Sequence, residues 1–426
     1  MNYDVLIVGT GVGGLYTAIN LNENIKVLMI TKDSVRDCNS YLAQGGVTTI
    51  LGEDDLESFI SDTLKAGNYK NNVKAVSKVG KNSIKNIKNL SRLGVPFEKK
   101  DGKLKYTREG GHSKNRIVYC EDQTGKAIVE ELIKVVKDKS NITIMENTTL
   151  TDLLIEYNTC YGASIINNNR LIKVNTKAVV LATGGIGGLF NSTTNFASMT
   201  GDGLALAIKH NIKLKDMEYL QLHPTVLYEK ENKGRRLLLS ESLRGEGGVL
   251  VNLNGEKFID SLLPRDVVSA AVLKEIEKTP DKPYVYLDMT GFTKEYLTNR
   301  FPYIYEECLN RGLKMESDLL PVAPAHHYCM GGIEVDLYSR TNIEFLYAVG
   351  EVSCTGVHGS NRLASNSLLE ALVFGENAAE NINSKINEIT INLDKVNSFS
   401  DSINMKPLIN YVKGKADHRY DKLFNC

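Results

Sequence analysis

The sequence predicts an α/β chain in which a nucleotide-binding fold is interrupted by a smaller α+β insertion. Three observations carry that expectation. Val5 to Val8 is a short apolar run suited to a buried parallel strand, and Gly9, Gly11 and Gly14 follow in GxGxxG spacing before a helix-like Leu15, Ala18, Ile19 pattern. Later runs end the same way: Lys173 to Leu181 passes into Ala182-Thr183-Gly184-Gly185, and Leu346 leads to Gly350. Between them, from Asp216 to about Tyr328, the composition shifts to short strand-like pieces rich in Arg and Glu, with Pro264, Pro280, Pro283, Pro302, Pro321 and Pro324. The first two observations predict a Rossmann-like fold, whose glycines allow a tight turn and let backbone approach a pyrophosphate at a helix N-terminus. The third predicts an inserted capping domain. The expected division is 1–216 and 329–384 for the two parts of the nucleotide fold, 217–328 for the cap, and 385–426 for a short tail.

Taken in order, Lys26 to Ile30 reads as the second parallel strand, at whose end a dinucleotide fold usually places an acid for the ribose hydroxyls. Thr31 and Lys32 stand there instead, and Asp33 lies beyond, which weakens NAD and leaves a flavin dinucleotide open. Asn39 to Gly46 is a polar loop whose Gly45-Gly46 would let backbone come close to a ligand. Leu56 to Ala66 and Val73 to Leu93 carry helical spacing, the second stopped by Gly94 and Pro96. Arg108 to Ser113 is a charged glycine loop in which Glu109, taken alone, reads as a solvated carboxylate. Gln123-Thr124-Gly125 opens a helix to about Lys137, and Ile142 to Met145, Leu150 to Ile155 and Lys173 to Leu181 read as strands around a turn at Asn167 to Asn169. Asp202 precedes a helix over Leu204 to Ile212, as its cap or as a ligand group. Ser367 to Ala379 is strongly helical, and the last ~40 residues are polar with little periodicity.

The 426 residues suggest two or three units at the usual ~100–200 residues each. Lys+Arg and Asp+Glu both number 51, so no net field favours nucleic acid or an anionic membrane, and an anionic ligand has to be held locally. No apolar run approaches the ~18 residues of a membrane span, and the N-terminus has no export signal. Seven cysteines, Cys38, Cys120, Cys160, Cys308, Cys329, Cys354 and Cys426, form no CxxC pair and fit reduced thiols in a cytoplasm. No histidine or cysteine cluster has metal-ligand spacing.

Three stretches concentrate groups able to hold a dianion. They are Gln221-Leu222-His223-Pro224-Thr225, then Ser240 to Gly248 with Pro264-Arg265-Asp266, and His326-His327-Tyr328 with His358 to Arg362. Arginine suits carboxylates because its planar fork donates two parallel charge-assisted hydrogen bonds and stays charged when buried. The bland alternative is a network of structural ion pairs with Glu241, Glu246 and Asp266. Spacing alone does not choose between them.

These motifs, in order GTGVGG, AQGG, REGGHS, ATGG, TGDG, QLHPT, ESLRGEGG, PRD, AHHYCMGG and HGSNRLASNSLLEAL, resemble the succinate dehydrogenase/fumarate reductase flavoprotein family over about residues 3 to 380. The resemblance implies FAD on Gly9, Thr10, Gly11, Val12, Gly13 and Gly14, with Lys32, the loop Asn39, Ser40, Tyr41, Leu42, Ala43, Gln44, Gly45 and Gly46, and with Asp202, Glu351, Ser367 and Leu368. It implies a dicarboxylate clamped by His223 and Ser240 at one end and by His327 and Arg362 at the other, with Gln221, Glu241 and Arg244 in the same shell. Arg265 matches the family's proton donor or acceptor, a role that needs a neighbouring carboxylate and a dry site. With Glu109, Arg244, His223 and His327 it makes up the expected catalytic set.

Within the family, members of membrane complexes attach FAD through a histidine where this chain has Asn39, so the FAD expected here is non-covalent. They also carry an aromatic residue where this chain has Glu109. A carboxylate facing the substrate would bind an α-ammonium, which reverses the bland reading of Glu109 and points to the branch that oxidises L-aspartate to iminoaspartate, the first step of de novo NAD biosynthesis. Oxygen or fumarate would take the electrons, and the alternative is a soluble fumarate reductase or succinate-oxidising flavoprotein. Ser240 stands for the more familiar threonine and keeps its hydroxyl. His326 precedes the motif histidine as a second titratable group expected to alter the pH profile. Members of this branch usually end in a three-helix domain, for most of which the chain after Ala379 is too short. Loss of that domain bears on the oligomer and on any contact with quinolinate synthase; the expected partners are L-aspartate and oxygen or fumarate, with quinolinate synthase as a possible one, the expected state a monomer or weak homodimer, with no nucleic-acid or membrane partner.

Overall fold

Five parallel strands form the central sheet, in the order Leu346–Ala348, Ala178–Leu181, Val5–Val8, Val27–Ile30, Ile142–Met145. The computed structural model describes residues 1–230, 234–389 and 400–417. The inner strands carry no polar residue because both faces are covered, and alternate side chains enter different cores. Val5, Ile7, Val27, Met29, Ala178 and Val180 join one core with the helices Val12–Asn20, Val73–Arg92, Thr124–Asp138 and Asn366–Lys385. Leu6, Val8, Leu28, Ile30, Val179 and Leu181 join a second core, shared with the antiparallel strands Thr148–Glu156, Thr159–Asn167 and Arg170–Asn175 and the buried helix Asp202–Lys209.

The first strand turns into its helix through Gly9 at φ +114, where a Cβ would lie 2.1 Å from the Ala182 carbonyl oxygen. A Cβ on Gly14 would lie 2.2 Å from the Gly9 oxygen, so this glycine lets helix and strand meet. The opening fingerprint and the ATGG turn are thus packed backbone against backbone.

A third core lies between a second sheet and the helices Arg265–Glu277, Lys294–Arg300 and Pro302–Leu309. Its sheet runs Gly234–Arg235, Ser192–Thr193, Leu320–Cys329, Val285–Asp288, Val249–Val251, with Leu220–Leu227 paired to Leu320–Cys329. Ser192–Thr193 joins it from before residue 217. The pairing of Leu220–Leu227 slips where Gln221 faces Tyr328 but Leu222 faces His326, leaving His327 as the extra residue of a bulge. A bulge re-aims a side chain, and here it turns His327 out of the strand's alternation.

Several expected elements differ. Lys173 to Leu181 is two strands, Arg170–Asn175 and Ala178–Leu181, because Thr176 and Lys177 carry the chain from the antiparallel sheet to the parallel one. The helix expected over Leu204 to Ile212 runs Asp202–Lys209, and Thr159–Asn167 is a strand the periodicity did not reveal. The polar tail contains the helix Lys406–Lys415, which buries Leu408 and Val412 in the second core. Six cysteines are unbridged and buried, and Cys426 lies outside the described residues, as do 390–399 and 418–425 of the tail. No helix among the described residues is long and apolar enough to cross a membrane.

Candidate functional site

A cavity of about 460 Å³ begins at the glycine turn and extends to the second sheet. At its first end Gly9, Thr10, Gly11 and Gly13 line it, whereas Val12 and Gly14 pack behind them, Val12 in the core and Gly14 against Gly9. Lys32 and Asp202 both line the cavity and pair with each other at 2.6 Å, with Thr200 Oγ1 donating to Asp202 at 2.6 Å. Asp202 is not a helix cap: Gly201 at φ +82 occupies that position. Asn39 to Gly46 form one wall, held by the Ser40 hydroxyl accepting from Val12 N at 3.2 Å and by Gly46 N donating to Ser365 Oγ at 3.2 Å. Gly185 makes room for Glu351, whose Oε1 would lie 2.2 Å from a Cβ there and which accepts from Cys329 N at 3.1 Å. Burial pushes the Glu351 carboxyl up to about 7.

At the other end the cavity is lined by His223, Ser240, Glu241, Arg265, His327 and Arg362. Arg265 Nε donates to Glu241 Oε2 at 2.5 Å and its Nη1 to Gln221 Oε1 at 2.9 Å. Gln221 donates in turn to the Arg362 carbonyl at 2.9 Å, so it ties two arginines together from outside the lining. Arg244 is buried behind Glu241 at 3.5 Å and donates to the Ser261 carbonyl. Burial raises the Glu241 carboxyl, but Arg265 and Arg244 outweigh it and hold it below the usual carboxylate range. Arg362 reaches Ser367 Oγ at 3.0 Å and His327 Nε2 at 2.9 Å, and the far side of the His327 ring meets Thr194 Oγ1 at 2.7 Å. Desolvation, then the neighbouring arginines, push both His223 and His327 well below the usual imidazole value, so both rings are neutral donors or acceptors at pH 7.

Glu109 is 4% exposed and lines the same cavity, so the reading of a solvated loop carboxylate is wrong. The loop is anchored by Arg116, fully buried between Asp55 and Asp62, and by His112 against the Ala364 carbonyl at 3.0 Å. Ser242 Oγ donates to one Glu109 oxygen at 2.8 Å and Ser365 Oγ to the other at 2.6 Å.

Two expected histidines lie elsewhere. His326 is fully buried, stacked on Phe190 at 3.9 Å with neither ring nitrogen bonded, and burial lowers its pKa to about 3. Such a ring stays neutral across the working range, which corrects the expectation that it shapes the pH profile. His358 is bound to Glu370 at 2.8 Å, beside Tyr328, whose ring underlies Arg362 at 4.6 Å. Sequence reading missed Thr194, Asn195, Ser242 and Ser365 as site residues. Ser242 and Ser365 sit inside the quoted motifs, whereas the segment with Thr194 and Asn195 carries no motif of its own.

Buried polar atoms without a protein partner cluster along this cavity. At the nucleotide end they are Asn39 Nδ2, Gln44 Oε1 and Thr183 Oγ1. At the arginine end they are His223 Nε2 and Arg362 Nε, with Arg244 Nε behind. Buried polar groups are normally satisfied, so such a set fits a ligand that is dinucleotide-like at one end and anionic at the other. Among the described residues no His, Cys, Asp and Glu cluster has the form of a metal site.

A family model described as FAD binding domain matches residues 4–368. The chain is 51% identical over 404 residues to an L-aspartate oxidase of Clostridium acetobutylicum, covering 94% of this chain and 93% of that one. It is 49% identical to an L-aspartate oxidase of Clostridium perfringens, covering 92% of this chain and 89% of that one. Among solved structures, an E. coli quinol fumarate reductase chain superposes with a TM-score of 0.86 at 31% identity, covering 97% of this chain and 74% of that one.

Proposed function

We infer that this chain, which belongs to the FAD-binding flavoproteins and within them to the L-aspartate oxidase family, oxidises L-aspartate to iminoaspartate with FAD as its cofactor. Oxygen or fumarate takes the electrons, and the reaction is the first step of de novo NAD biosynthesis. The observation that carries the substrate assignment is a buried carboxylate, Glu109, facing the same cavity as Arg265 and Arg362.

Bound FAD supplies the two-electron acceptor for the hydrogen on the substrate Cα. Gly9, Thr10, Gly11, Val12, Gly13 and Gly14, with Lys32, residues 39–46, Asp202, Glu351, Ser367 and Leu368, are proposed to hold it, and Asn39 leaves it without a covalent link. The unpartnered Asn39, Gln44 and Thr183 atoms support that placement.

The protein's part is to bind, orient and keep water out. His223 and Ser240 are proposed to hold one substrate carboxylate and His327 with Arg362 the other, with Glu241 beside them in the lining and Gln221 and Arg244 fixing these groups from behind. Glu109 is proposed to accept the α-ammonium. Arg265 is proposed to exchange a proton, and its 2.5 Å bond to Glu241 in a buried setting supplies the neighbouring carboxylate such a role requires. Counted over Arg244, Arg265, Arg362, Glu109 and Glu241, the arginine end has one excess positive charge, which L-aspartate neutralises with two carboxylates and one ammonium. Succinate and fumarate would overshoot and leave Glu109 unanswered, which disfavours the rival reading of a fumarate reductase.

Residues 1–216 and 329–384 are proposed as the FAD-binding domain, 217–328 as the cap and 385–426 as a C-terminal tail. Iminoaspartate hydrolyses in water, so quinolinate synthase, which consumes it, is the proposed partner of a cytoplasmic monomer or weak homodimer. The test is product balance: FAD-loaded protein in air should convert L-aspartate to equal amounts of hydrogen peroxide, oxaloacetate and ammonia, the last two from the hydrolysed imine. Turnover of succinate without turnover of L-aspartate overturns the assignment.

A further inference from the structure

We propose that Ser242, together with Ser365, is a positioning residue for Glu109 and so sets the preference for an amine-bearing dicarboxylate. The inference rests on the reading that Glu109 receives the substrate ammonium. Glu109 belongs to a loop without regular structure, where a carboxylate would ordinarily rotate. Instead one hydroxyl from each side of the cleft holds it: Ser242 Oγ at 2.8 Å from Oε1, out of the short helix Glu241–Gly245, and Ser365 Oγ at 2.6 Å from Oε2, just before the helix Asn366–Lys385. The AQGG loop closes a third side, since a Cβ on Gly45 would lie 2.6 Å from Glu109 Oε1.

The backbone beside Glu109 is fixed as well, since a Cβ on Gly110 would lie 2.5 Å from Glu241 Oε1. A carboxylate has about four acceptor positions, of which the serines fill two, leaving about two for the N–H donors of an ammonium. Succinate and fumarate carry no such donor and gain nothing from this arrangement.

The two serines are not equivalent. Ser365 also accepts from Gly46 N at 3.2 Å and has φ +62, so its hydroxyl is part of the backbone framework. Ser242 receives the Ser240 hydroxyl at 3.2 Å and passes its own proton to Glu109, linking a proposed carboxylate contact to the proposed ammonium contact. Ser242 is therefore the position at which amine recognition is separable from folding.

The test measures the KM for L-aspartate and the inhibition constant of succinate on FAD-loaded protein. Ser242→Ala should raise the KM for L-aspartate about three- to tenfold, less than the loss of a direct charged contact because Ser242 acts on the substrate only through Glu109. The succinate constant should move by no more than about twofold, through the neutral Ser240–Ser242 bond, and Ser242→Thr, which keeps the hydroxyl, should restore the KM. Ser242→Gly replaces the alanine variant if that protein fails to retain FAD. Constants that move together, or an L-aspartate KM that does not move, overturn the inference. Glu109→Gln is measured alongside: if it keeps the preference for L-aspartate over succinate, the underlying reading of Glu109 fails, whereas if it loses the preference and Ser242→Ala keeps it, only the role of Ser242 fails.

Discussion

Replacing Arg362 with leucine removes a guanidinium that is 5% exposed, stacked on Tyr328 and bonded to Ser367 Oγ and His327 Nε2. Burial, helped by Arg265, lowers its pKa to about 10, so it remains a full cation at neutral pH. Its Nε has no protein partner. A charge-assisted hydrogen bond to a carboxylate contributes ~1.5–3 kcal/mol, so Arg362→Leu should raise the KM for L-aspartate roughly ten- to a hundredfold. Stability should move the other way. The folded pKa lies below the unfolded value, so the charged form costs the fold energy at every pH below about 10, and the cost fades only above it. A leucine of smaller volume removes that cost, and the FAD-free variant should melt no lower than the parent at neutral pH. The assay is steady-state oxygen consumption on protein with full FAD content, beside a melting curve of the FAD-free form. An unchanged KM in a fully loaded variant refutes the clamp.

Three further outcomes are expected. Glu241→Gln deprives Arg265 of its carboxylate at 2.5 Å, and rapid-reaction flavin reduction should slow by at least about a hundredfold, the usual scale of a proton-transfer group; a rate within tenfold of the parent contradicts the assignment. Glu351 titrates at about 7 in the folded chain against 4.5 in the free side chain, so it withholds stability increasingly as pH rises across that window. FAD-free Glu351→Gln should gain melting temperature over the parent between those values, and a constant difference counts against the buried carboxyl. His326 stays neutral down to about 3 while the unfolded ring protonates near 6.5, so the parent loses stability as pH falls through that range. His326→Leu should flatten this loss and leave the pH profile of L-aspartate oxidation unchanged.

Much of the fold is legible because local pattern and tertiary role agree. Val5 to Val8 reads as a strand buried on both faces because it is one, and Gly9 and Gly14 are spaced by contacts that no Cβ would permit. The boundaries fail where tertiary pairing decides. Nothing local marks the switch at Thr176 between an antiparallel and a parallel sheet, and the helix at Lys406–Lys415 buries only Leu408 and Val412 out of a polar stretch. In the site, arginines and motif histidines are visible as residue types, but their setting is not. His326 and His327 are adjacent in sequence, yet the bulge sends one to Phe190 and the other to Arg362. The fate of Glu109 depends on two serines distant in the chain, which no spacing rule connects to it.

The most direct measurement is anaerobic reduction of the bound flavin by L-aspartate, D-aspartate, L-glutamate and succinate in parallel. A site with Glu109 for the ammonium, His223 with Ser240 for one carboxylate and His327 with Arg362 for the other, at fixed separation, should let L-aspartate bleach the flavin and leave it oxidised with the other three. Bleaching by succinate and not by L-aspartate would contradict the assignment of Glu109 as the ammonium site, and with it the substrate.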